Sequence, residues 1–162
     1  MATDEITNIC LMGMMLCQDI KLETQSHTPQ RPDWGVPASP IVLKDELRRQ
    51  IRAVGQPIIT TLQPFSLLLV VCGGKPNEEF TVNVRIGEYG PEGTTFETRK
   101  MMWPQQQSWF PIVFPVSLGI PVDDAEGTIF VAFAVLINGI PMGRVLMPVM
   151  WESDFKKPPQ PA

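Results

Sequence analysis

Few residues of this chain have side chains that could carry out chemistry, and their spacing matches no catalytic arrangement. His27 is the only histidine, so a Ser–His–acid or Cys–His centre would have to use it. Asp123, Asp124 and Glu126 lie together in a turn bounded by proline and glycine, a setting typical of solvated carboxylates. We therefore expect no catalytic residue, no cofactor and no metal site. A hydrolase or transferase with an acidic site around Asp123 and Asp124 is the alternative.

The glycine-rich segment 73–75 (GGK) resembles part of a phosphate-binding loop. Such a loop has a glycine five residues before its second glycine, and Ser or Thr directly after its lysine. This chain has Leu69 and Pro76 at those positions, and the proline would disrupt entry into a helix. We therefore expect a hairpin turn at 73–79.

The cysteines indicate the redox environment of the chain. There are three, Cys10, Cys17 and Cys72, and each lies in an apolar run. Their number is odd, and they lack the closely spaced pairs of a zinc site. Asp4 and Glu5 stand where a secretory signal has basic residues. This pattern predicts buried thiols in a reducing compartment, so we expect a cytoplasmic protein.

The composition is that of a globular domain without an electrostatic preference for polyanions. The 162 residues are 44% hydrophobic and 19% charged, which suits one domain with a sizeable core. The net charge of −4 gives no attraction to nucleic acid or to anionic lipid. No run of residues reaches the roughly 18 apolar positions of a membrane-spanning helix. We therefore expect neither nucleic acid nor a membrane among the partners.

The four tryptophans are the side chains most suited to recognition. Trp34 lies in the long polar loop 25–39, and Trp103 and Trp109 flank the short loop 104–108. A rigid aromatic beside adaptable polar groups is the mixture that interfaces favour. Core packing is the alternative interpretation for any one of these tryptophans. The candidate partner-binding residues are Arg31, Trp34, Trp103, Gln106 and Trp109.

One segment, 40–54, has the pattern of an amphipathic helix. Ser39 is a good N-cap residue and Pro40 suits the first helical position. Gly55 follows as a C-cap residue, and Pro57 prevents continuation. The apolar positions at spacings of four, four and three share one face: Leu43, Leu47, Ile51 and Val54.

The remaining elements are predicted to be short strands separated by turns. The segments with strand patterns are 9–17, 20–23, 65–72, 80–86, 94–102, 109–114, 128–137 and 144–151. For 9–17, a short buried helix is the alternative. Among them, 65–72 is expected to be central and 94–102 an edge strand. Asn138-Gly139 predicts a type I′ hairpin turn. This rhythm predicts a single antiparallel β-sandwich domain of two sheets, Ig-like or C2-like, over 1–155, with a disordered tail at 156–162. A small β-barrel is the alternative.

From residue 65 onward the order of features resembles small bacterial β-sandwich proteins of unassigned function. The resemblance lies in the apolar strand at 65–72, FTVNVRI at 80–86, FPIVFPV at 110–116, and FAVLINGI at 133–140 leading into VLMPV at 145–149. It covers about half of the chain. It implies the sandwich fold and implies no activity.

The strand at 128–137 is apolar on both of its faces. Such a strand is either central in its sheet or lies at a subunit interface. With one helix to cover the sheets, we expect a second copy to cover part of this surface, and hence a homo-oligomer. The function that we expect is a non-enzymatic protein-binding or assembly module with an unidentified protein partner. A structural subunit of a phage or secretion-type particle is an alternative.

Overall fold

A computed structural model of the protein describes residues 8–18, 41–87, 94–125 and 127–156. Strands make up 62% of these residues, which confirms the predicted mostly-β class. The elements are β1 (Cys10–Cys17), β2 (Ile41–Leu43), α1 (Asp45–Val54), β3 (Ile58–Thr61), β4 (Phe65–Cys72), β5 (Glu79–Gly87), β6 (Thr94–Met102), β7 (Trp109–Val116), β8 (Gly119–Val122), β9 (Ile129–Ile137), β10 (Ile140–Trp151) and α2 (Glu152–Phe155).

The strands form three sheets, whereas two were predicted. The largest has the order β2-β10-β9-β5-β6, the next β1-β4-β7, and the smallest pairs β3 with β8. All pairs are antiparallel except β2 with β10, which is parallel. One sheet curls into a half-barrel. The strands β3 and β8 were not predicted, because four residues with proline nearby show no clear alternation.

One cluster of buried apolar residues includes side chains of both the five-stranded and the three-stranded sheet. In β5, Phe80, Val82 and Val84 are buried while the residues between them are half-buried, as the period of two predicts. Phe65 of β4 meets Phe133 of β9 edge to face, with ring centroids 5.6 Å apart. Among the described strands, β4 has a neighbour on both sides and β6 is an edge strand, so these two predictions are confirmed. Of the two alternatives given for 128–137, the structure has β9 in the centre of its sheet.

The helix begins five residues later than predicted. It spans Asp45–Val54 with Lys44 as its N-cap residue, and Ile41–Leu43 is the strand β2 instead. This strand pairs with 149–151 at the end of β10. Two β-branched residues favour a strand, and tertiary pairing with β10 outweighs the local helical pattern. Ser39 and Pro40 lie outside the described residues.

The end of the helix and the last hairpin are as predicted. Gly55 has a positive φ of 74°, and its N–H donates to the carbonyl of Ile51 at 2.8 Å. Val54, expected on the apolar face, is 56% exposed at the last position of the helix. Asn138 and Gly139 have φ angles of 50° and 79°, which is the type I′ geometry.

Several predictions fall on parts of the chain that the structure does not describe. The strand at 20–23, the loop 25–39 and most of the tail 156–162 belong to these. Within the described part, residues 152–155 of the chain's end form the short helix α2. The domain bounds stay a prediction.

Candidate functional site

Trp103 is a core residue. It is 1% exposed, and its ring lies 4.9 Å from that of Phe110 and 5.9 Å from that of Phe80. Its indole N–H donates to the carbonyl of Gln107 at 2.8 Å. The hypothesis that Trp103 is an exposed anchor is therefore wrong, because the apolar ends of β5 and β7 offer this ring a packed site and the loop supplies its acceptor. Of the two interpretations, core packing holds for this residue.

Gln106, in the loop 104–108, and Trp109, directly after that loop, are both exposed to solvent. Gln106 has a positive φ of 65° at the tip of the turn, and Trp109 is 41% exposed at the start of β7. The structure thus leaves Trp109 accessible and separates it from Trp103, which points into the core. Arg31 and Trp34 lie outside the described residues, so their role as partner-binding residues stays a prediction.

The acidic turn holds the helix α1 to the end of the core. Asp124 accepts hydrogen bonds from Arg52 Nε at 2.8 and 2.9 Å and from Arg48 Nε at 2.8 Å. Arg48 also lies 5.4 Å above the ring of Trp151. These hydrogen bonds, from Arg52 first and then Arg48, hold the pKa of Asp124 below its ordinary value. Asp124 therefore takes part in a structural contact that favours its ionised form.

The neighbouring carboxylate is also engaged locally. Asp123 Oδ1 accepts from the N–H of Ala125 at 2.9 Å, the contact of an Asx turn. Glu126 lies outside the described residues. Among the described residues there is no group of three His, Cys, Asp or Glu side chains placed to hold a metal ion. The two aspartates thus act on the turn and on the helix, which does not favour an acid–base pair in a cleft.

The outer face of the five-stranded sheet carries an exposed apolar patch. Val42, Phe130 and Leu146 are 39%, 47% and 45% exposed. Val42 pairs with Met150, and Phe130 pairs with Pro148, so these side chains are direct neighbours across the strands. We call Val42, Phe130, Leu146, Pro148 and Met150 the apolar patch.

The same face becomes basic beside the apolar patch. Arg85 and Arg144 pair with Ala134 from opposite sides, so the two arginines flank a small residue of the central strand. Lys100 pairs with Thr81 on the outer side of β5 and β6. The only acidic strand residue of this face, within the described chain, is Glu79 at its far end. The described strand residues of this face are thus net positive on a chain whose total charge is −4.

A cavity opens beside the apolar patch. Its volume is about 590 Å³, and Phe130 lines it together with β8 and the ends of β5 and β6. The lining is apolar except for Thr94 and Thr95, and none of its described residues is charged. Ligand pockets take roughly 300–1,000 Å³ and are mostly apolar with a few polar groups, which is the character of this cavity.

The free edge of β7 is closed to strand addition. The carbonyl of Val113 accepts from Arg99 Nη1 at 2.9 Å, so it points away from β4. Pro111 and Pro115 lie two residues away on either side, hence they face the same free edge, where proline has no N–H to donate. A partner strand would find too few donors here, so recognition at this edge is disfavoured.

The exposed thiols correct another expectation. Cys17 is buried, and burial raises the pKa of its thiol, but Cys10 is exposed and Cys72 is half-buried. The prediction that all three are buried is therefore wrong. Successive residues of a strand point to opposite faces of the sheet. In an apolar run, the sequence does not show which of the two faces is exposed to solvent.

The patch was not singled out from the sequence, although a signal for it existed. The segment 145–151 is apolar at successive positions, so both faces of β10 carry apolar side chains, as was noted for 128–137. Such a pattern indicates an apolar outer face without showing that it is uncovered.

Comparison with known proteins adds no family to this description. No protein-family model matches the chain, and no curated protein matches it. In the part of the chain that the structure describes, there is no helix with the length and apolar character needed to cross a bilayer.

Proposed function

We propose that this protein is a non-enzymatic protein-binding module that holds an acidic, apolar segment of a partner against the outer face of its five-stranded sheet. The observation that carries the proposal is the exposed apolar patch bordered by basic residues. Large apolar side chains supply the energy of such interfaces, and complementary charges set their orientation and specificity.

The charges of the face favour an acidic segment as the occupant. Among the described strand residues of this face, Arg85, Arg144 and Lys100 are basic and Glu79 is acidic, so a carboxylate of the partner gains an attraction that a lysine or arginine does not. The cavity beside Phe130 gives an apolar anchor a place to enter, where it would be removed from water on several sides.

A second copy of the chain is the other candidate occupant, because a homo-oligomer was expected from the sequence. The apolar patch favours it, since two uncharged surfaces would meet. The basic residues disfavour a face-to-face pair, because like charges of the two copies would then approach each other. Light scattering of the wild type and of Leu146→Asp distinguishes a second copy from a segment of another protein.

The absence of catalysis is part of the proposal. Asp124 is held by two arginines and Asp123 by its own turn, so neither is placed as a general acid or base. We further propose that the five- and three-stranded sheets are the two layers of a β-sandwich, as contacts such as that of Phe80 with Phe110 support. The cytoplasmic location stays a prediction.

The test is selection of peptides from a random display library on the immobilised wild-type protein. We expect the enriched peptides to combine Asp or Glu with Leu, Ile, Phe or Trp. Leu146→Asp should weaken binding of a synthetic copy of such a peptide by about tenfold or more, as loss of a central apolar contact does. Arg144→Glu should weaken it as well, and more so at low salt.

The matched control is Ile59→Asp, which changes an apolar residue 77% exposed on β3, outside the apolar patch. It should leave the affinity within about twofold. Enrichment of basic peptides, or equal losses in Leu146→Asp and Ile59→Asp, would refute the proposal. If light scattering shows that the wild type is a dimer and that Leu146→Asp is a monomer, the occupant of the apolar patch is a second copy of the chain and not a segment of another protein.

A further inference from the structure

Two of the three thiols lie opposite each other on the outer face of the three-stranded sheet. Cys10 of β1 and Cys72 of β4 are direct partners in the antiparallel register. Directly opposed residues of such a pair point to the same face of the sheet. The neighbouring pair, Leu11 with Val71, packs on the core side, so both cysteines point outward.

The backbone distance of this pair suits a disulfide. The Cα atoms of opposed residues in an antiparallel pair lie about 4.5 or about 5.5 Å apart. A disulfide takes Cα separations of roughly 4.4–6.8 Å, so both values fall within its range. The register thus permits a disulfide between the two without a rearrangement of the strands.

The chain keeps the two cysteines in this register by a close backbone contact. Gly73 follows Cys72 with a φ of 88°, and a Cβ at Gly73 would lie 2.3 Å from the carbonyl oxygen of Asn8. Only glycine permits this approach, which brings the residue before Ile9 against the end of β4. The Cys10 thiol itself donates a hydrogen bond to the Asn8 carbonyl at 3.5 Å.

The accessibilities of the thiols differ in the order that an exchange reaction needs. Cys10 is exposed, Cys72 is half-buried, and Cys17 is buried at the other end of β1. An exposed thiol meets a dissolved disulfide first, and a neighbour beneath it can then resolve the product. Cys17 stays out of the reaction, because its burial removes it from the reagent and raises its pKa.

We propose that Cys10 and Cys72 form a reversible modification site, in which the two thiols become a disulfide by exchange with a low-molecular-weight disulfide such as oxidised glutathione. The Cys10 thiolate attacks oxidised glutathione, forms a mixed disulfide and releases one glutathione thiolate. The Cys72 thiolate then attacks the Cys10 sulfur and releases the second glutathione. Two protein thiols are oxidised, one glutathione disulfide is reduced to two thiols, and the two protons pass to the released glutathione. Excess reduced glutathione reverses both steps.

The experiment uses the reduced full-length protein in the Cys17→Ala background, with wild type in parallel in case that change impairs folding. The protein is equilibrated with oxidised glutathione, the free thiols are blocked with N-ethylmaleimide, and intact mass and linked peptides are measured. We expect the loss of two thiols and of two hydrogen atoms per chain, with Cys10 joined to Cys72 in a monomer. Reduced glutathione should restore both thiols.

Single variants distinguish the two roles. In Cys72→Ser, Cys10 should retain one glutathione as a stable mixed disulfide, because the resolving thiol is missing. In Cys10→Ser, Cys72 should react at least tenfold more slowly than Cys10 does. A stable mixed disulfide in the wild type, a dimer joined by disulfides, or two thiols that stay free would each overturn the proposal. None of these results bears on peptide binding, because the apolar patch lies on the other sheet.

Discussion

The two ends of the five-stranded sheet are each closed by a buried tryptophan, yet they are held in different ways. Trp103 is 1% and Trp151 2% exposed, and each indole N–H donates to a loop carbonyl, of Gln107 at 2.8 Å and of Ala125 at 3.3 Å. Around Trp103 the loops are joined by backbone hydrogen bonds. Around Trp151 the contacts are ion pairs between α1 and the acidic turn.

The Trp103 end depends on shape. The N–H of Trp103 donates to Glu78 and its carbonyl accepts from Asn77, at 2.8 and 3.1 Å. Gly74 lies directly against the indole ring. These two hydrogen bonds and the contact with the ring join uncharged groups, so they change little with pH or salt. Aromatic packing of this kind contributes through burial and through edge-to-face geometry.

The Trp151 end depends on charge. Arg48 and Arg52 converge on Asp124, whose side chain is 39% exposed. Ion pairs that face water are screened by salt and are lost when the carboxylate is protonated. Two similarly buried tryptophans are thus held by different forces. The contacts of Trp103 change little with pH and salt, whereas the ion pairs beside Trp151 depend on both.

The largest expected effect is at the Trp103 end. Trp103→Ala should lower the free energy of unfolding by about 3–5 kcal/mol, because it leaves a large cavity in the core. Trp109→Ala, at a residue 41% exposed, should cost about 1 kcal/mol or less. Urea unfolding measures both. If Trp103→Ala does not fold, Trp103→Phe is measured instead, with a smaller expected loss of unfolding free energy. Equal losses of unfolding free energy for the changes at 103 and 109 would contradict the assignment of Trp103 to the core.

The next effect tests the fit beneath the indole. Gly74→Ala would place a Cβ 2.1 Å from Cε3 of Trp103, so the ring must move. Such overpacking should cost about 1–3 kcal/mol in urea unfolding. Gly13→Ala is the matched control, since a Cβ there meets nothing within 4 Å, and it should change stability by about 0.5 kcal/mol at most. A neutral Gly74→Ala would show that this end is loosely packed.

A smaller effect separates the two arginines at the other end. The side chain of Arg48 is 12% exposed and that of Arg52 58%. Arg48→Ala should cost about 1 kcal/mol, because it also removes the cation–π contact with Trp151. Arg52→Ala should stay within about 0.5 kcal/mol. Urea unfolding of both variants under the same conditions measures the two losses of unfolding free energy. A larger loss for Arg52→Ala than for Arg48→Ala would argue against the contact of Arg48 with Trp151.

The smallest effect is the pH dependence of the charged end. The pKa of Asp124 is lowered from 3.8 in the folded protein, mainly by the hydrogen bonds from Arg52 and Arg48. Its stabilisation is therefore present above the pKa of the unfolded chain and is lost as the pH falls through the folded value. The urea midpoint of wild type should exceed that of Asp124→Asn at about pH 6 and approach it at about pH 2. A difference that is constant with pH would exclude this origin.

Much of the fold was predictable because local patterns and tertiary contacts agree. The alternation in β5, the apolar run of β4 and the Asn138-Gly139 turn each predicted the observed structure. The start of α1 was not predictable, because residues 41–43 have both a helical pattern and a strand partner. That partner, at the end of β10, is more than 100 residues away in the sequence.

The candidate site was predictable only in part. Trp109 was proposed from its type and position, and it is accessible. Trp103 has the same type and flanks the same loop, yet it is buried, since Gly74 of another loop makes room for its ring. The apolar patch and the basic residues beside it come from five strands, so no local window of sequence contains them.

The sequence by itself determined the longer strands with a clear pattern, such as β4 and β5, the tight turn at Asn138-Gly139, and the scarcity of side chains that could carry out chemistry. These properties depend on periods of two, on positive φ angles and on composition, which are local. Only the tertiary structure decided which face of each strand is covered, that Asp124 pairs with α1, and that Cys10 meets Cys72. Those outcomes depend on register and sheet order, because pairing partners are chosen across long stretches of chain by total burial and hydrogen bonding rather than by the neighbours of each residue.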